Sequence, residues 1–171
     1  MWNDAFIAYS RRKLADYHAQ IVRCVKLCSL EQIWHRANER SNSIGNLLLH
    51  LRGNVMMWIV DGLGGERFDR DRPAEFAQRD ALPVEPIMAR LAEAVTAADR
   101  VISRLAPADL ERVYSIQGYS VTGVEAVYHV IEHFAFHTGQ IITMTKALLD
   151  VDLSLYDAQG HRLDEAPGGR P

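Results

Sequence analysis

The chain has 171 residues, 48% of them hydrophobic and 24% charged, the composition of one globular domain able to bury a core. Its formal net charge of -3 leaves no basic surplus to neutralise phosphates, so no nucleic-acid partner is expected. The longest apolar runs, such as residues 55–60, fall far short of the ~20 residues a membrane span needs, and MWNDAFIAYSRRK lacks a signal-peptide apolar core, so no membrane partner is expected and a cytoplasmic location is.

From Asn3 to about Cys28, Phe6, Tyr9, Leu14, Tyr17, Ile21, Val25 and Cys28 recur every three or four residues, the period of an amphipathic helix. Cys24 and Cys28 have the wrong spacing for a CxxC motif and read as small core fillers. SLEQIWHRAN is a short turn segment. Ser41 or Asn42 then caps a second helix running to Val60, with Ile44, Leu47, Leu48, Leu51, Val55, Trp58 and Ile59 on one face. Gly64 and Gly65 lie just past its end.

About 20 residues, LGGERFDRDRPAEFAQRDALP, follow, where a simple helical hairpin needs only ~2–8. Such a segment can run back along the ~30 Å of a twenty-residue helix, so a crossover and parallel second and third helices are expected. Its charges read as a solvated stretch with internal ion pairs. A third helix starts near Pro83, carries Ile87, Met88, Leu91, Val95, Ala98, Ile102 and Leu105, and stops before Pro107. RVYSIQGYSVT can hold a turn or hairpin around Gly118. Thr122 and Glu125 spell a capping box for a fourth helix running to about Leu149. The fold class is therefore all-α: a four-helix bundle over residues 1–150, with residues 151–171 as an extended tail and loose end.

The fourth helix carries His129, His133 and His137 at four-residue intervals, and each such step advances about 40° around the axis. His133 and His137 share a flank with Val130, Ile141, Met144 and Leu148, whereas Glu125, Glu132 and Lys146 mark the solvent side. Imidazoles at i and i+4 have Cβ atoms roughly 5–6 Å apart, close enough to share an ion at about 2.0–2.1 Å. A third ligand must come from another helix, and His50 is the one imidazole on the second, in a column with Ser43, Asn54 and Met57. Three imidazoles leave a coordination position open, as in catalytic zinc sites. HExxH fails, since Val130 follows His129 and Phe134 follows His133; the Glu-x-x-His of di-iron bundles fails too.

A plainer reading stands beside this one. Helical HxxxH pairs arise by chance, and buried histidines are usually hydrogen-bonded to protein groups. His18, His35 and His161 have no partners in the pattern and read as surface or hydrogen-bonded residues. His129 fits a solvent or helix-packing role, or the orienting of a ligand. Trp2, Trp34 and Trp58 read as core or interface.

SNSIGNLLLHLRGN and GVEAVYHVIEHFAFHTGQI resemble the two halves of the DinB-like superfamily signature, and RDRPAEF is similar to an uncharacterised bacterial subgroup of it. The resemblance covers roughly residues 5 to 150. It implies an up-down-down-up four-helix bundle, commonly a homodimer, binding a divalent metal, zinc or nickel most often, through His50, His133 and His137. The best-understood relatives are metal-dependent transferases that use low-molecular-weight thiols such as bacillithiol or mycothiol. Three readings stay open: a transferase or hydrolase with the metal at its centre, a non-catalytic metal-binding or stress-associated bundle, and a plain helical dimer with core histidines. No general base stands out, although Asn46, Asn54 or tyrosines can position a substrate. The wide apolar arc of the fourth helix favours dimerisation in all three, and the substrate is not legible.

Overall fold

A computed structural model describes residues 2–161. Helix α1, Trp2–Leu27, buries Leu14, Ile21 and Cys24. The expected turn segment contains a short helix α2, Leu30–Trp34, because Ser29 and Gln32 cap it reciprocally. Helix α3, Ile44–Val55, starts one to two residues later than the sequence suggests. Its N-cap is Ser43 rather than Ser41 or Asn42, since the Asn46 carboxamide reaches back to the Ser43 N–H at 3.1 Å while Ser43 Oγ accepts from the Asn46 N–H at the same distance. The helix continues as a π-helical turn, Met56–Asp61.

The connecting segment carries a short helix α4, Arg72–Ala77, capped by Asp71 with a proline in its first turn. Helix α5 spans Val84–Ile102 and ends short of Leu105. Pro107 opens a further short helix, α6, Pro107–Glu111. The expected hairpin is present: β1, Val113–Ile116, pairs antiparallel with β2, Tyr119–Thr122, in the register Val113 to Thr122 and Ile116 to Tyr119. Its two turn residues, Gln117 and Gly118, have φ of 52° and 82°, as the hairpin's twist requires. Helix α7, Gly123–Leu149, begins at the Thr122–Glu125 capping box and ends at Asp150, in the left-handed conformation.

The fold is mostly helical, with one two-stranded sheet among the described residues. Helix α1 packs on α7 and α5, and α3 packs on α5 and α7, so the four long helices enclose one core. Phe134, Leu48, Leu51, Leu91 and Ile141 are fully buried there, each such side chain contributing about 1.5–3 kcal/mol. Trp34 and Trp58 are buried with their indole N–H groups donating to Leu82 O and Gln117 Oε1, whereas Trp2 is exposed. After α7 the chain turns back to bury Leu153. Of the tail expected over residues 151–171, residues 162–171 lie outside the described residues. No described helix is long and apolar enough to cross a membrane.

Candidate metal centre

His50 lies on the buried side of α3, and His133 and His137 lie one turn apart on the α7 face packed against it. One ring nitrogen from each falls within 4.8 Å of the others. His50 Nε2 and His133 Nε2 are 2.8 Å apart, and the ring centroids are separated by 4.9 Å (His50–His133), 5.1 Å (His50–His137) and 4.5 Å (His133–His137). The Nδ1 atoms of His50 and His137 are engaged on the outer side. His137 Nδ1 meets Gln140 Oε1, an acceptor, at 2.7 Å, and His50 Nδ1 meets Glu75 Oε2 at 2.8 Å. Arg70 Nη2 also lies 3.1 Å from His50 Nδ1, but the nearer carboxylate is ionised and can only accept, so both Nδ1 atoms donate and the lone pair is left on Nε2.

Glu75 and its partner Arg70 are the residues that sequence reasoning missed, because the segment holding them reads as a solvated charge run. Both are buried, with side-chain exposures of 10% and 3%. Arg70 Nε and Nη2 donate to the two Glu75 oxygens at 2.7 and 2.9 Å, and Nη2 also donates to the His50 carbonyl at 3.4 Å. Gly53 allows the approach: a Cβ there would collide with Glu75 Oε1 and Arg70 Nε. The one available sequence signal was the RDRPAEF stretch, whose Asp71 cap and proline set α4, and with it Glu75, against α3.

One turn along from the His50–His133 contact, a second polar contact joins the same two helices. Asn54 Nδ2 and His129 Nε2 are 3.2 Å apart. Asn54 Oδ1 is buried without a protein partner. His129 packs on Trp58 at a centroid distance of 4.0 Å and stacks on His133 at 5.4 Å, so it supports the cluster rather than joining it. Asn46 is also buried, but its amide is used by the Glu75 and Gln78 carbonyls, which fastens α4 to α3. His18 and His35 lie apart from the cluster, lining two separate cavities. His161 pairs with Asp157 at 3.0 Å.

Burial and the neighbouring imidazoles push the His133 pKa down to about 3, and burial lowers that of His137 against the opposing Gln140 hydrogen bond. Both are neutral at physiological pH, the form that offers a lone pair to a metal. Burial alone would raise the Glu75 pKa, yet hydrogen bonds from His50 and Arg70 outweigh it and hold this carboxyl below the ordinary range.

The donor set fits a divalent ion. Two nitrogens bound at about 2.0–2.1 Å with a tetrahedral angle lie about 3.3 Å apart. Small ring movements would open the 2.8 Å His50–His133 contact to that span. The carboxylate behind His50 and the carboxamide behind His137 are the kind of outer partners that fix the tautomer of metal-binding histidines.

The mostly helical fold is that of a DinB-like protein. The chain belongs to the family described as "Protein of unknown function (DUF1572)", a DinB-like family whose model matches residues 2–157. Its fold is similar to that of a conserved protein from Enterococcus faecalis, with a TM-score of 0.68 and 13% identity over 84% of this chain and 97% of the other. It is also similar to a DinB-like protein from Bacillus cereus, with a TM-score of 0.64 and 14% identity over 85% of this chain and 91% of the other. No curated protein matches the chain.

Proposed function

We propose that the protein is a metal-dependent enzyme of group transfer or hydrolysis, with His50, His133 and His137 holding one divalent ion, zinc or nickel. The observation that carries this reading is the convergence of one ring nitrogen from each of three buried or half-buried histidines within 4.8 Å, two of these imidazoles with Nδ1 against an acceptor oxygen. A bound ion would act as a Lewis acid at its open position, lowering the pKa of water or of a low-molecular-weight thiol. The chain's own contribution is to orient it: Glu75 and Arg70 hold His50, Gln140 holds His137, and the Phe76 ring, 4.6 Å from that of His50, covers one side of the cluster. We further read the four long helices as an up-down-down-up bundle over residues 1–150, which the 22-residue stretch from Gly62 to Pro83 between α3 and α5 supports. The exposed Tyr128 on α7 supports a homodimer, and the absence of a membrane-length helix among the described residues is compatible with the cytoplasm.

A second reading has its own observation. The one carboxylate touching the cluster, Glu75, is consumed by Arg70 and His50, so no free general base contacts the histidines among the described residues. That favours a non-catalytic, stress-associated or structural role. Metal content by elemental mass spectrometry on untagged protein separates the readings. About one equivalent in the wild type, lost in His50→Ala, His133→Ala and His137→Ala, supports a metal centre and justifies a screen of thiol-transfer and hydrolytic substrates. Protein that stays apo when zinc or nickel is offered sinks the enzyme proposal.

A further inference from the structure

A cavity of about 930 Å³ lies between the segment joining α2 to α3 and the second half of α7. One of its walls is tied to the histidine cluster. Gln140 lines the cavity and accepts the His137 Nδ1–H at 2.7 Å. Phe136 also lines it, with its ring edge-on to His137 and the centroids 5.3 Å apart. The rest of the surface is of two kinds. Leu47, Met144 and Leu148 form an apolar body, while the consecutive residues Arg40, Ser41 and Asn42 line the cavity as its polar side, Arg40 bringing its one cationic group other than histidine. No acidic side chain lies among the lining residues. Gly139 keeps one side open, since a Cβ there would meet nothing within 4 Å.

The geometry points to this cavity as the substrate pocket of the three-histidine site, shaped for a small molecule that joins an acidic group to an apolar body. The inference rests on the metal reading above and adds the substrate class to it. The volume falls within the ~300–1,000 Å³ typical of ligand pockets. A carboxylate, phosphate or sulfonate gains a charge-assisted, fork-shaped contact from Arg40. The apolar body is removed from water on Leu47, Met144 and Leu148. The part of the ligand nearest the cluster abuts Phe136 and Gln140, the two lining side chains that touch His137, while the three histidines lie behind this wall.

The test uses 8-anilinonaphthalene-1-sulfonate, which carries an anionic group on an apolar body, and N-phenyl-1-naphthylamine, the same rings without the charge. Full-length protein is loaded with either zinc or cobalt(II). The sulfonate should bind saturably, with a fluorescence gain that the uncharged amine does not match. Arg40→Glu should weaken it by about tenfold, the change expected from ~1.4 kcal/mol at a reversed charge. Gly139→Trp should abolish binding, and Ala147→Phe, at another lining position, provides the same test should the tryptophan variant misfold. Cobalt(II) should quench the bound dye relative to zinc, and His133→Ala should remove that difference.

Dye binding untouched by Gly139→Trp and Ala147→Phe, or indifferent to Arg40→Glu and to the sulfonate, overturns the assignment. So does binding that obeys these variants but reads zinc and cobalt alike in metal-loaded protein, which leaves the metal reading standing. A dimer that dissociates in Gly139→Trp with unchanged dye affinity gives the cavity to a second copy of the chain and also overturns it. If the wild type takes up no metal, the metal reading itself falls, and the substrate assignment falls with it.

Discussion

Glu75 Oε2 lies 2.8 Å from His50 Nδ1, so a residue from the segment between α3 and α5 sets the tautomer of a candidate ligand in the middle of the bundle. Arg70 completes the arrangement: Nε donates to Glu75 Oε1 at 2.7 Å, and Nη2 donates to the same Oε2 at 2.9 Å while lying 3.1 Å from His50 Nδ1. The three side chains are interdependent. Glu75 is held ionised by its two partners, and in that state it requires a hydrogen on His50 Nδ1.

Replacing Glu75 with Gln should therefore lower zinc affinity by about 10–100-fold, the usual effect of removing an outer partner of a metal-binding histidine, while saturating stoichiometry stays near one. Competition against a chromogenic chelator reads both quantities. An unchanged affinity would remove Glu75 from the metal site.

Glu75→Ala has a second consequence. It leaves the Arg70 guanidinium, 3% exposed, without its counter-charge, and breaking a buried pair in this way costs about 3–5 kcal/mol. The double substitution Arg70→Met with Glu75→Leu should regain most of that stability, because neither charge is then buried. Urea unfolding of the metal-free proteins measures both. By contrast, Arg11→Ala removes only the half-exposed pair with Asp99 and should cost under about 1 kcal/mol.

Gly53→Ala probes the same contact from α3. The added methyl meets Glu75 and Arg70, and overpacking of this kind costs about 1–3 kcal/mol. The losses from Gly53→Ala and Glu75→Ala should be markedly non-additive, since both act through one side chain. Additive losses in a double-mutant cycle would place the methyl's effect elsewhere.

The pH dependence has a definite sign. His133 has a folded-state pKa of about 3 against the ordinary 6.5, and those of His129 and His137 are also lowered. Between the folded and unfolded values the unfolded chain binds more protons, so stability falls as pH drops below about 6.5, at up to about 1.4 kcal/mol per pH unit for each such group. Glu75 and Asp99, both lowered, extend the loss further into acid. Chelator-treated protein should thus show a urea midpoint that declines from pH 7 to pH 4, and His133→Ala should flatten the upper part of that decline.

Metal should stabilise the fold by mass action. Zinc at one hundred times its Kd adds about 2.7 kcal/mol when only the native state binds it. Calorimetry should register an upward shift in Tm that chelator reverses and that His50→Ala, His133→Ala and His137→Ala each abolish.

What was readable in the sequence is what depends on neighbours along the chain. Helical periodicity placed α1, α3, α5 and α7 within a few residues, the Thr122–Glu125 box marked the start of α7, and a four-residue step put His133 and His137 on one flank, because a helix repeats the same local geometry wherever it occurs. Where competing local partners existed, the outcome was less legible: Ser41, Asn42 and Ser43 can all cap a helix, and only Ser43 has Asn46 three residues on to answer it. The tertiary structure decided the rest. His50 meets His133 because α3 packs on α7, eighty-three residues away in sequence. Arg70 and Glu75 look like solvated charges until α4 folds against Gly53 and buries them, since the desolvation that makes a carboxylate and a guanidinium act as one unit is a property of the packed interior rather than of the residues that enter it.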